Sequence, residues 1–524
     1  MINFRHALAA LAGAAALIAT ACGTSDTPVD PTAAPTASSM PSGRYVAQAT
    51  YCDALTSLCS AWEPTTVPSF PPHIAIHMHL LPTGEVLFWP GEEGPTHGSK
   101  GFQYAYIWNP VTGATREIDN TRTDVFCSGH SFLPDGRLLV TGGHIADGKG
   151  RRDVNIFDPF RNSWSRTKDM NAGRWYPTST TLANGDVLVV AGTDENGNSN
   201  TLPQVWSPTK GGSWRSLTTA TRGQPYYPFM FLAPDGRVFY AGPQARSAFL
   251  NTAGSGAWTE GPWTVNQIYR DYGSAVMYAP GKILMVGGGG ADGSSSSGPT
   301  NTAEIIDLSG SATWQATGSM SIGRRQHNAT VLADGKVLVT GGTSGQGFNN
   351  ESTPVTLAEL WDPATNTFTP LTNELRSRMY HSTALLLPDG RVLSAGGGRC
   401  GGCLVQNADA QVFSPPYLFN GDGSLAARPV INSAPTRIGY GTNFTLGVAN
   451  PPAVARISLV RIASVTHAFN QNQRFVPITA FQVQGSGLSV TAPSDRNIAP
   501  PGHYMLFVLN AQGVPSEAKM VQLL

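Results

Sequence analysis

The sequence predicts an all-β protein, a seven-bladed β-propeller followed by an immunoglobulin-like β-sandwich. Three observations carry this prediction. A strand–turn–strand unit recurs seven times. The chain of 524 residues has 58 glycines and 39 prolines but only 13% charged residues, which is typical of a turn-rich β protein. No apolar stripe of helical period and length competes with the repeat.

Each copy of the repeat is an apolar strand, a tight Asp-Gly, Asn-Gly or similar turn, a second β-rich strand and a glycine stop, which is typical of a β-hairpin. Two examples are "SFLPDGRLLVTGG" (131–143) and "TVLADGKVLVTGG" (330–342). Most copies are followed by a further strand and turn, as in "AELWDP" (358–363), so a unit supplies about four strands, one propeller blade. The spacing of 45 to 55 residues between turn glycines is the kelch period, and these glycines are Gly84, Gly136, Gly185, Gly236, Gly281, Gly335 and Gly390. A seven-bladed kelch-type propeller over residues 73–420 is therefore predicted.

The repeat stops before residues 421–524, which contain short alternating runs such as "FTLGV" (444–448) and "YMLFVL" (504–509). This is the size and pattern of an immunoglobulin-like β-sandwich. Between two of its strands lies "ASVTHAFNQNQRFVPIT" (463–479), an unusually long polar connection that carries a histidine. Connections of this kind are often functional.

The N-terminus has the pattern of an export signal. Arg5 precedes an apolar run, and "IATAC" places small residues directly before Cys22, which looks like a bacterial lipobox although Ala19 replaces the usual leucine. Residues 1–22 are thus predicted to be a lipoprotein-type signal that leaves the exported protein lipid-anchored at Cys22. The alternative is an ordinary cleaved signal and a secreted protein.

Residues 23–42 have almost no large apolar side chains and predict a disordered tether, and residues 43–72 form an N-terminal segment that leads into the propeller.

Lys plus Arg and Asp plus Glu are both 34, and like charges are not clustered, which argues against nucleic-acid binding. We expect a monomer that meets a membrane only through its N-terminal lipid anchor.

Five cysteines remain besides the lipobox residue. Cys52 and Cys59 flank a short loop, and Cys400 and Cys403 form "CGGC", so both pairs are predicted disulfides in an oxidising compartment. For "CGGC", half of a zinc site or a redox motif is the alternative, but no second Cys/His pair and no βαβ pattern accompany it. Cys127 is left over, and an unpaired thiol in an exported protein calls for an explanation.

Residues at the same offset from the turn glycine occupy equivalent places around a propeller axis. Nine residues before that glycine stand Cys127 in blade two, Tyr176 in blade three and His381 in blade seven, with Tyr380 one place earlier. A thiol, two phenols and an imidazole are therefore expected near one end of the axis, with Cys127 beside Tyr176 because their blades are neighbours.

The spacing alone leaves a metal site and a hydrogen-bonded polar channel both open. The same column holds Tyr227, Tyr272, Gln326 and Ala75, so a tyrosine there is not diagnostic. Adjacent residues such as Tyr380 and His381 point to opposite faces of a regular strand and can share a ligand only at a strand end or bend. His77 and His79 in blade one form a further pair that we expect to be structural.

Four motifs resemble the copper radical oxidases, galactose oxidase and glyoxal oxidase. They are "FCSG" (126–129), "RWYPT" (174–178), "RMYHSTALLLPDGRVLSAGGGRCGGC" (378–403) and "VTHAFNQNQRFVPIT" (465–479). The similarity runs from blade one to the C-terminus. In that family a loop of the C-terminal domain enters the propeller pore and delivers the last metal ligand, which here falls on His467.

The resemblance implies one copper ion held by Tyr176, Tyr380, His381 and His467, because imidazole and oxygen ligands suit Cu(II). It implies that Cys127 forms a thioether with Tyr176, a protein-derived one-electron cofactor. The implied function is a copper- and tyrosyl-radical-dependent oxidase of small aldehydes or primary alcohols that reduces O2 to H2O2. Tyr380 would be the general base and the Tyr176 radical would abstract hydrogen from carbon.

Two departures from galactose oxidase stand out. Only about thirty residues separate the tether from blade one, so the carbohydrate-binding domain is missing, as in glyoxal oxidases. The loop "AGTDENGNSN" (191–200) lacks the tryptophan that stacks on the modified tyrosine, which leaves Trp175 or Trp263 to shield the radical and predicts little aromatic surface for a sugar ring.

The main alternative from another class is a metal-free kelch-propeller binding or adhesion module at the cell surface. A hydrolase is weaker, because no Asp-box repeats and no carboxylate pair recurs at the column positions.

Overall fold

The computed structural model describes residues 51–52, 58–63, 67, 70–91, 104–289, 298–398 and 403–524. Within these ranges the chain forms strands and three short 3-10 turns, Pro208–Lys210, Pro416–Leu418 and Pro451–Ala453, with no α-helix. The predicted signal segment 1–22, tether 23–42 and Cys400 lie outside the described residues.

Seven antiparallel sheets form the blades, each starting with its innermost strand. Two short strands come first, β1 (Tyr51–Cys52) and β2 (Cys59–Trp62). Blade one has β3 (His77–Leu80), β4 (Val86–Trp89), β5 (Tyr106–Trp108) and β6 (Thr115–Glu117). Blade two has β7 (Gly129–Phe132), β8 (Leu138–Thr141), β11 (Val154–Asp158) and β12 (Ser163–Arg166), with a separate hairpin of β9 (His144–Ala146) and β10 (Lys149–Gly150). Blade three has β13 (Thr178–Thr181), β14 (Val187–Val190), β15 (Gln204–Ser207) and β16 (Ser213–Ser216).

The next four blades follow the same order. Blade four has β17 (Phe229–Leu232), β18 (Val238–Gly242), β19 (Arg246–Asn251) and β20 (Ala257–Trp263). Blade five has β21 (Ser274–Ala279), β22 (Lys282–Val286), β23 (Ala303–Asp307) and β24 (Trp314–Ala316). Blade six has β25 (Arg325–Val331), β26 (Val337–Thr343), β27 (Leu357–Asp362) and β28 (Thr367–Asn373). Blade seven has β29 (Ser382–Leu386), β30 (Val392–Gly396) and β31 (Ala410–Ser414), and β2 completes it as a fourth strand.

The hairpin turns form where the sequence predicts them. All seven turn glycines have positive φ, between 69° and 90°, a conformation that costs glycine little because it has no Cβ. The N-terminal segment takes part in the last blade, since Ala61 and Trp62 pair with Ser414 and Phe413. The predicted Cys52–Cys59 disulfide is present and joins β1 to β2. Cys403 is also disulfide-bonded.

The C-terminal domain is a sandwich of two sheets around a core that includes Leu459, Tyr504 and Leu506. One sheet has β32 (Ile431–Ser433), β34 (Asn443–Val448), β40 (Gly487–Thr491) and β39 (Phe481–Gln484). The other has β33 (Arg437–Ile438), β42 (Lys519–Leu523), β41 (Gly502–Asn510), β35 (Val454–Arg461) and β38 (Phe475–Ile478). The predicted propeller and sandwich are confirmed.

A hairpin of the C-terminal domain extends the sheet of blade one. It consists of β36 (Ser464–Thr466) and β37 (Phe469–Asn470), and β36 pairs with β3 in the register His77↔Thr466. The hairpin also contacts the inner strands β7, β21, β25 and β29, so it fills the centre of the propeller. We call residues 464–473 the pore hairpin.

The polar composition of the pore hairpin has a structural cause. Gln471 accepts hydrogen bonds from the backbone N–H groups of His130 and Ser179, both at 3.1 Å. Gln473 pairs in the same way with Val331 of blade six, at 3.0 Å. Inner strands expose backbone groups to the pore, and such groups need partners when they are buried. The amide side chains supply those partners.

Candidate active site in the propeller pore

The column of residues nine places before the turn glycines is a set of left-handed bends. Six of its members have positive φ, namely Cys127 (59°), Tyr176 (64°), Tyr227 (43°), Tyr272 (48°), Gln326 (59°) and His381 (67°). A positive φ is uncommon for a residue with a Cβ and interrupts the alternation of a strand. The bend at His381 brings its ring onto that of the adjacent Tyr380, with ring centroids 3.8 Å apart.

Buried arginines anchor the segments that carry the two tyrosines. Arg174 donates to the carbonyl of Ala191 at 2.7 Å and to that of Leu202 at 2.5 Å. Arg378 pairs with the buried carboxylate of Glu374 at 3.0 Å. Each arginine lies two residues before its tyrosine, so the bends are held from the core of the propeller.

The predicted site residues come together at one end of the pore. The phenol oxygens of Tyr176 and Tyr380 are 2.6 Å apart, and Nε2 of His467 lies 2.9 Å from the Tyr176 oxygen. The rings of His381 and His467 have centroids 4.6 Å apart. Cys127 is fully buried, and its backbone carbonyl accepts the Tyr176 N–H at 2.9 Å.

The hydrogen bonds determine which imidazole nitrogens carry lone pairs. Thr466 donates its hydroxyl hydrogen to the carbonyl of Ile76 at 3.0 Å, so it must accept from Nδ1 of His467, at 2.6 Å. Nδ1 of His381 donates to the carbonyl of Gly398 at 2.8 Å. Each ring in its neutral form therefore has its lone pair on Nε2. Such outer hydrogen bonds are typical of metal-binding histidines.

A cavity of about 300 Å³ opens onto this site, and Tyr176 and His467 form part of its wall. Five of its other lining residues are aromatic, namely Tyr226, Tyr227, Phe229, Tyr269 and Tyr272. Gln224 and Asp271 add polar groups. The prediction of little aromatic surface for a substrate is therefore wrong. The loop after Tyr176 has no aromatic side chain, but the neighbouring blades supply several to the cavity.

A second cavity of about 340 Å³ lies elsewhere, bounded by Leu332, Asp334, Tyr417 and Arg456. None of the predicted site residues lines it. The cavity at Tyr176 and His467 is therefore the candidate substrate pocket.

Two family models match the chain. "Glyoxal oxidase N-terminus" matches residues 104–401, and "Galactose oxidase-like, Early set domain" matches residues 428–523. The chain belongs to the glyoxal oxidase and galactose oxidase family. Galactose oxidase of Gibberella zeae is 34% identical over 490 residues, which cover 88% of this chain and 70% of the relative. "Aldehyde oxidase GLOX" of Vitis pseudoreticulata is 32% identical over 484 residues, covering 85% and 90%.

A solved structure of this family has the same fold. It is described as "Novel fungal alcohol oxidase with catalytic diversity among the AA5 family, in complex with copper". It shares 31% sequence identity and a TM-score of 0.80, and the match covers 88% of this chain and 99% of the other. The predicted family membership and the prediction of an oxidase are confirmed.

The question of which tryptophan faces Tyr176 has a clear structural answer. The ring of Trp175 stacks on that of Tyr176, with centroids 3.8 Å apart and planes 12° apart, and its indole N–H donates to His144. Trp263, the other candidate, is 52% exposed on β20. Neighbouring residues stack here because Tyr176 has a left-handed backbone, which a regular strand pattern does not predict.

Further aromatic residues of the site were not found from the sequence. Tyr226 packs edge-on against Tyr176 at 5.3 Å, and Phe348 packs edge-on against Tyr380 at 4.8 Å. Tyr226 precedes a column residue, which is the signal that would have identified it. Phe348 belongs to a connection within blade six and has no such signal.

Burial controls the protonation of the site. Burial raises the pKa of Tyr176 well above its ordinary value, and the nearby Cys127 and Tyr380 add to this effect. It raises the pKa of Tyr380 as well, with Cys127 again contributing. Burial also lowers the pKa of His467 well below its usual range, and His381 adds to that shift. At neutral pH the metal-free site therefore holds the protonated phenols of Tyr176 and Tyr380 and the neutral imidazole of His467.

The raised pKa of Tyr176 predicts a loss of stability in alkali. Tyrosines in the unfolded chain ionise above about pH 10, whereas buried Tyr176 keeps its proton in the folded state. The contribution of Tyr176 to the free energy of unfolding is therefore full below that pH and falls as the pH rises. The free energy of unfolding of the metal-free protein should therefore fall by about 1.4 kcal/mol more per pH unit above pH 10 than that of its Tyr176→Phe variant. Urea unfolding from pH 8 to 11.5 measures this difference. Parallel stability curves for the two proteins would contradict it.

Proposed function

We propose that the chain is a copper- and tyrosyl-radical-dependent oxidase of small aldehydes or primary alcohols that reduces O2 to H2O2. The observation that carries the proposal is the convergence of the Tyr176 and Tyr380 oxygens and His467 Nε2 within 2.6–2.9 Å contacts, beside a fully buried thiol.

The donor set fits copper. Among the residues that the structure describes, no group of three His, Cys, Asp or Glu side chains is arranged to hold a metal, so the phenols are essential to any site here. Tyr176, Tyr380, His381 and His467 would hold the ion through two oxygens and two Nε2 atoms, a set that suits Cu(II). Bound copper would supply one-electron redox chemistry and would lower the pKa of the coordinated phenols.

The chain's own residues account for the remaining chemistry. Oxidation of a primary alcohol removes two electrons and two protons, which together reduce O2 to H2O2. Tyr380 accepts the substrate hydroxyl proton at its phenol oxygen. Oxidised Tyr176, joined to Cys127, takes the hydrogen atom from the substrate carbon. An aldehyde reacts as its hydrate, which supplies the same hydroxyl group.

Trp175 and the cavity shape the environment of that reaction. The stacked indole covers one face of the Tyr176 ring, which keeps water from an oxidised phenol. A cavity of about 300 Å³ is at the small end of ligand sites, which supports small substrates.

Export is also proposed, with acylation at Cys22 as the membrane anchor. The Cys52–Cys59 disulfide supports an oxidising compartment. Within the described ranges, no helix is long and apolar enough to cross a membrane.

The copper proposal predicts one tightly bound copper per chain. His467→Ala should weaken copper binding by about 100-fold or more, because it removes one of four ligands from a buried site. His503→Ala, on β41 of the same domain, is the matched control and should bind copper as the wild type does. Metal analysis with a competing chelator measures both. Full copper retention by His467→Ala would contradict the assignment of His467 as a copper ligand, whereas no copper in the wild type would favour the metal-free binding-module alternative.

The stacking of Trp175 predicts a protective effect on the oxidised protein. Trp175→Leu should shorten the lifetime of the Tyr176 radical by about tenfold, since water then reaches the ring face. The decay of the radical absorption band and of the electron paramagnetic resonance signal measures it. Trp263→Leu provides the control because that residue is exposed, and equal decay in the two variants would disprove the shielding role.

The substrate proposal predicts a ranking of peroxide release. Glyoxal, methylglyoxal and glycolaldehyde should exceed galactose in kcat/KM by about tenfold or more, a difference that a small pocket can produce through fit alone. Peroxide release from copper-loaded, oxidised protein gives the ranking, with Tyr380→Phe as the inactive control. A preference for galactose over every small aldehyde would overturn the substrate class and leave the copper site intact.

A further inference from the structure

Backbone hydrogen bonds link the left-handed column from blade to blade. The N–H of Tyr176 donates to the carbonyl of Cys127 at 2.9 Å, and the N–H of Tyr227 donates to that of Tyr176 at 3.0 Å. The N–H of Gln326 donates to the carbonyl of Tyr272 at 2.8 Å. Each of these bonds ties one bend to the bend of the preceding blade, which offsets the cost of the positive φ.

Blade one breaks the pattern at the cysteine. Its column residue, Ala75, is not left-handed, and its carbonyl accepts the hydroxyl of Thr383 at 2.8 Å. The N–H of Cys127 donates instead to a side chain, Nε2 of His77, at 3.0 Å. His77 thus replaces the carbonyl that a preceding blade would supply.

A chain of buried groups fixes the tautomer of His77. A backbone N–H can only donate, so Nε2 of His77 carries a lone pair and its proton is on Nδ1, which donates to Nε2 of His130 at 3.2 Å. His130 then carries its proton on Nδ1, 2.5 Å from the hydroxyl of Ser464. Ser464 in turn donates to Nδ1 of His79 at 2.9 Å. These hydrogen bonds all run in one direction, from the Cys127 N–H to Ser464 of the pore hairpin and on to His79.

We propose that His77 is a positioning residue for the cofactor cysteine. Its Nε2 and the Tyr176 N–H hold the two backbone groups of Cys127, and thereby the left-handed conformation that directs the thiol to the Tyr176 ring. His130 and Ser464 keep His77 in the accepting tautomer, so docking of the pore hairpin sets the geometry of the cysteine as well as delivering His467. This rests on the proposed function for the thioether itself.

The step that depends on this geometry is formation of the thioether. A bond forms between Sγ of Cys127 and a ring Cε of Tyr176, the carbon ortho to the hydroxyl group, which carries a hydrogen. The thiol hydrogen and the ring hydrogen leave as two protons and two electrons, which reduce one O2 to H2O2. A cysteine that samples other backbone conformations would reach the ring less often, and bond formation would slow.

The test compares His77→Leu, which cannot accept the Cys127 N–H, with His77→Gln, whose amide oxygen can. Full chains are loaded with copper, exposed to O2, and sampled for the crosslinked peptide pair, which is two hydrogens lighter than its parts. Loss of this hydrogen bond should slow crosslinking about tenfold in His77→Leu, with His77→Gln within about threefold of the wild type. His327→Leu, another fully buried histidine on β25 of blade six, is the control and should crosslink at the wild-type rate.

Wild-type crosslinking in His77→Leu, or equal slowing in His77→Leu and His327→Leu, would overturn the positioning role. If His77→Leu does not fold, Ser464→Ala tests the same chain and should slow crosslinking about threefold, since the tautomer is then less well held. A wild-type rate in Ser464→Ala would then be contrary evidence. Absence of the crosslink in the wild type would overturn the proposed function together with this inference, whereas a crosslinked wild type with unaffected variants overturns only the inference.

Discussion

The antiparallel pairing of β36 with β3 determines where the C-terminal domain meets the propeller. Three residue pairs, from His77↔Thr466 to His79↔Ser464, fix the register. A slip by one residue would turn every side chain of β36 to the opposite face. His467 would then lose its position next to the Tyr176 oxygen, and Ser464 its contacts with two histidines. A short stretch of sheet thereby connects two domains and completes one site.

The second constraint is the left-handed backbone at the entrance of six inner strands. Such a conformation costs about 1–3 kcal/mol for each residue that has a side chain. The surrounding structure opposes this cost through blade-to-blade hydrogen bonds and through buried arginines two residues before Tyr176 and Tyr380. In return, consecutive residues face the same space, so that Trp175 covers Tyr176 and Tyr380 lies on His381. The chemistry depends on these neighbouring pairs.

The repeat made the fold predictable, because each hairpin is a local structure with its own turn glycine and the units recur at a constant period. Rotational equivalence also made the column predictable, and the family resemblance added His467. The stacking of Trp175 could not be derived, since it needs a positive φ that no residue type at position 176 signals. Strand β2 could not be assigned to blade seven either, because its partner β31 lies about 350 residues later in the sequence. The sequence predicts a structural role for His77 and His79, but their partners could not be derived, because His77 bonds to Cys127 of the next blade and His79 to Ser464 of the C-terminal domain.

The central claim is that one copper ion at the end of the pore is held by Tyr176, Tyr380, His381 and His467, next to a thioether between Cys127 and Tyr176. A crystal structure of the copper-loaded, oxygen-exposed chain, with anomalous diffraction data at the copper edge, tests it most directly. The account predicts a single strong peak at bonding distance from the phenol oxygens and from both Nε2 atoms, with continuous density from Sγ of Cys127 to the Tyr176 ring. A peak elsewhere, or a separate thiol beside an unmodified ring, would contradict it.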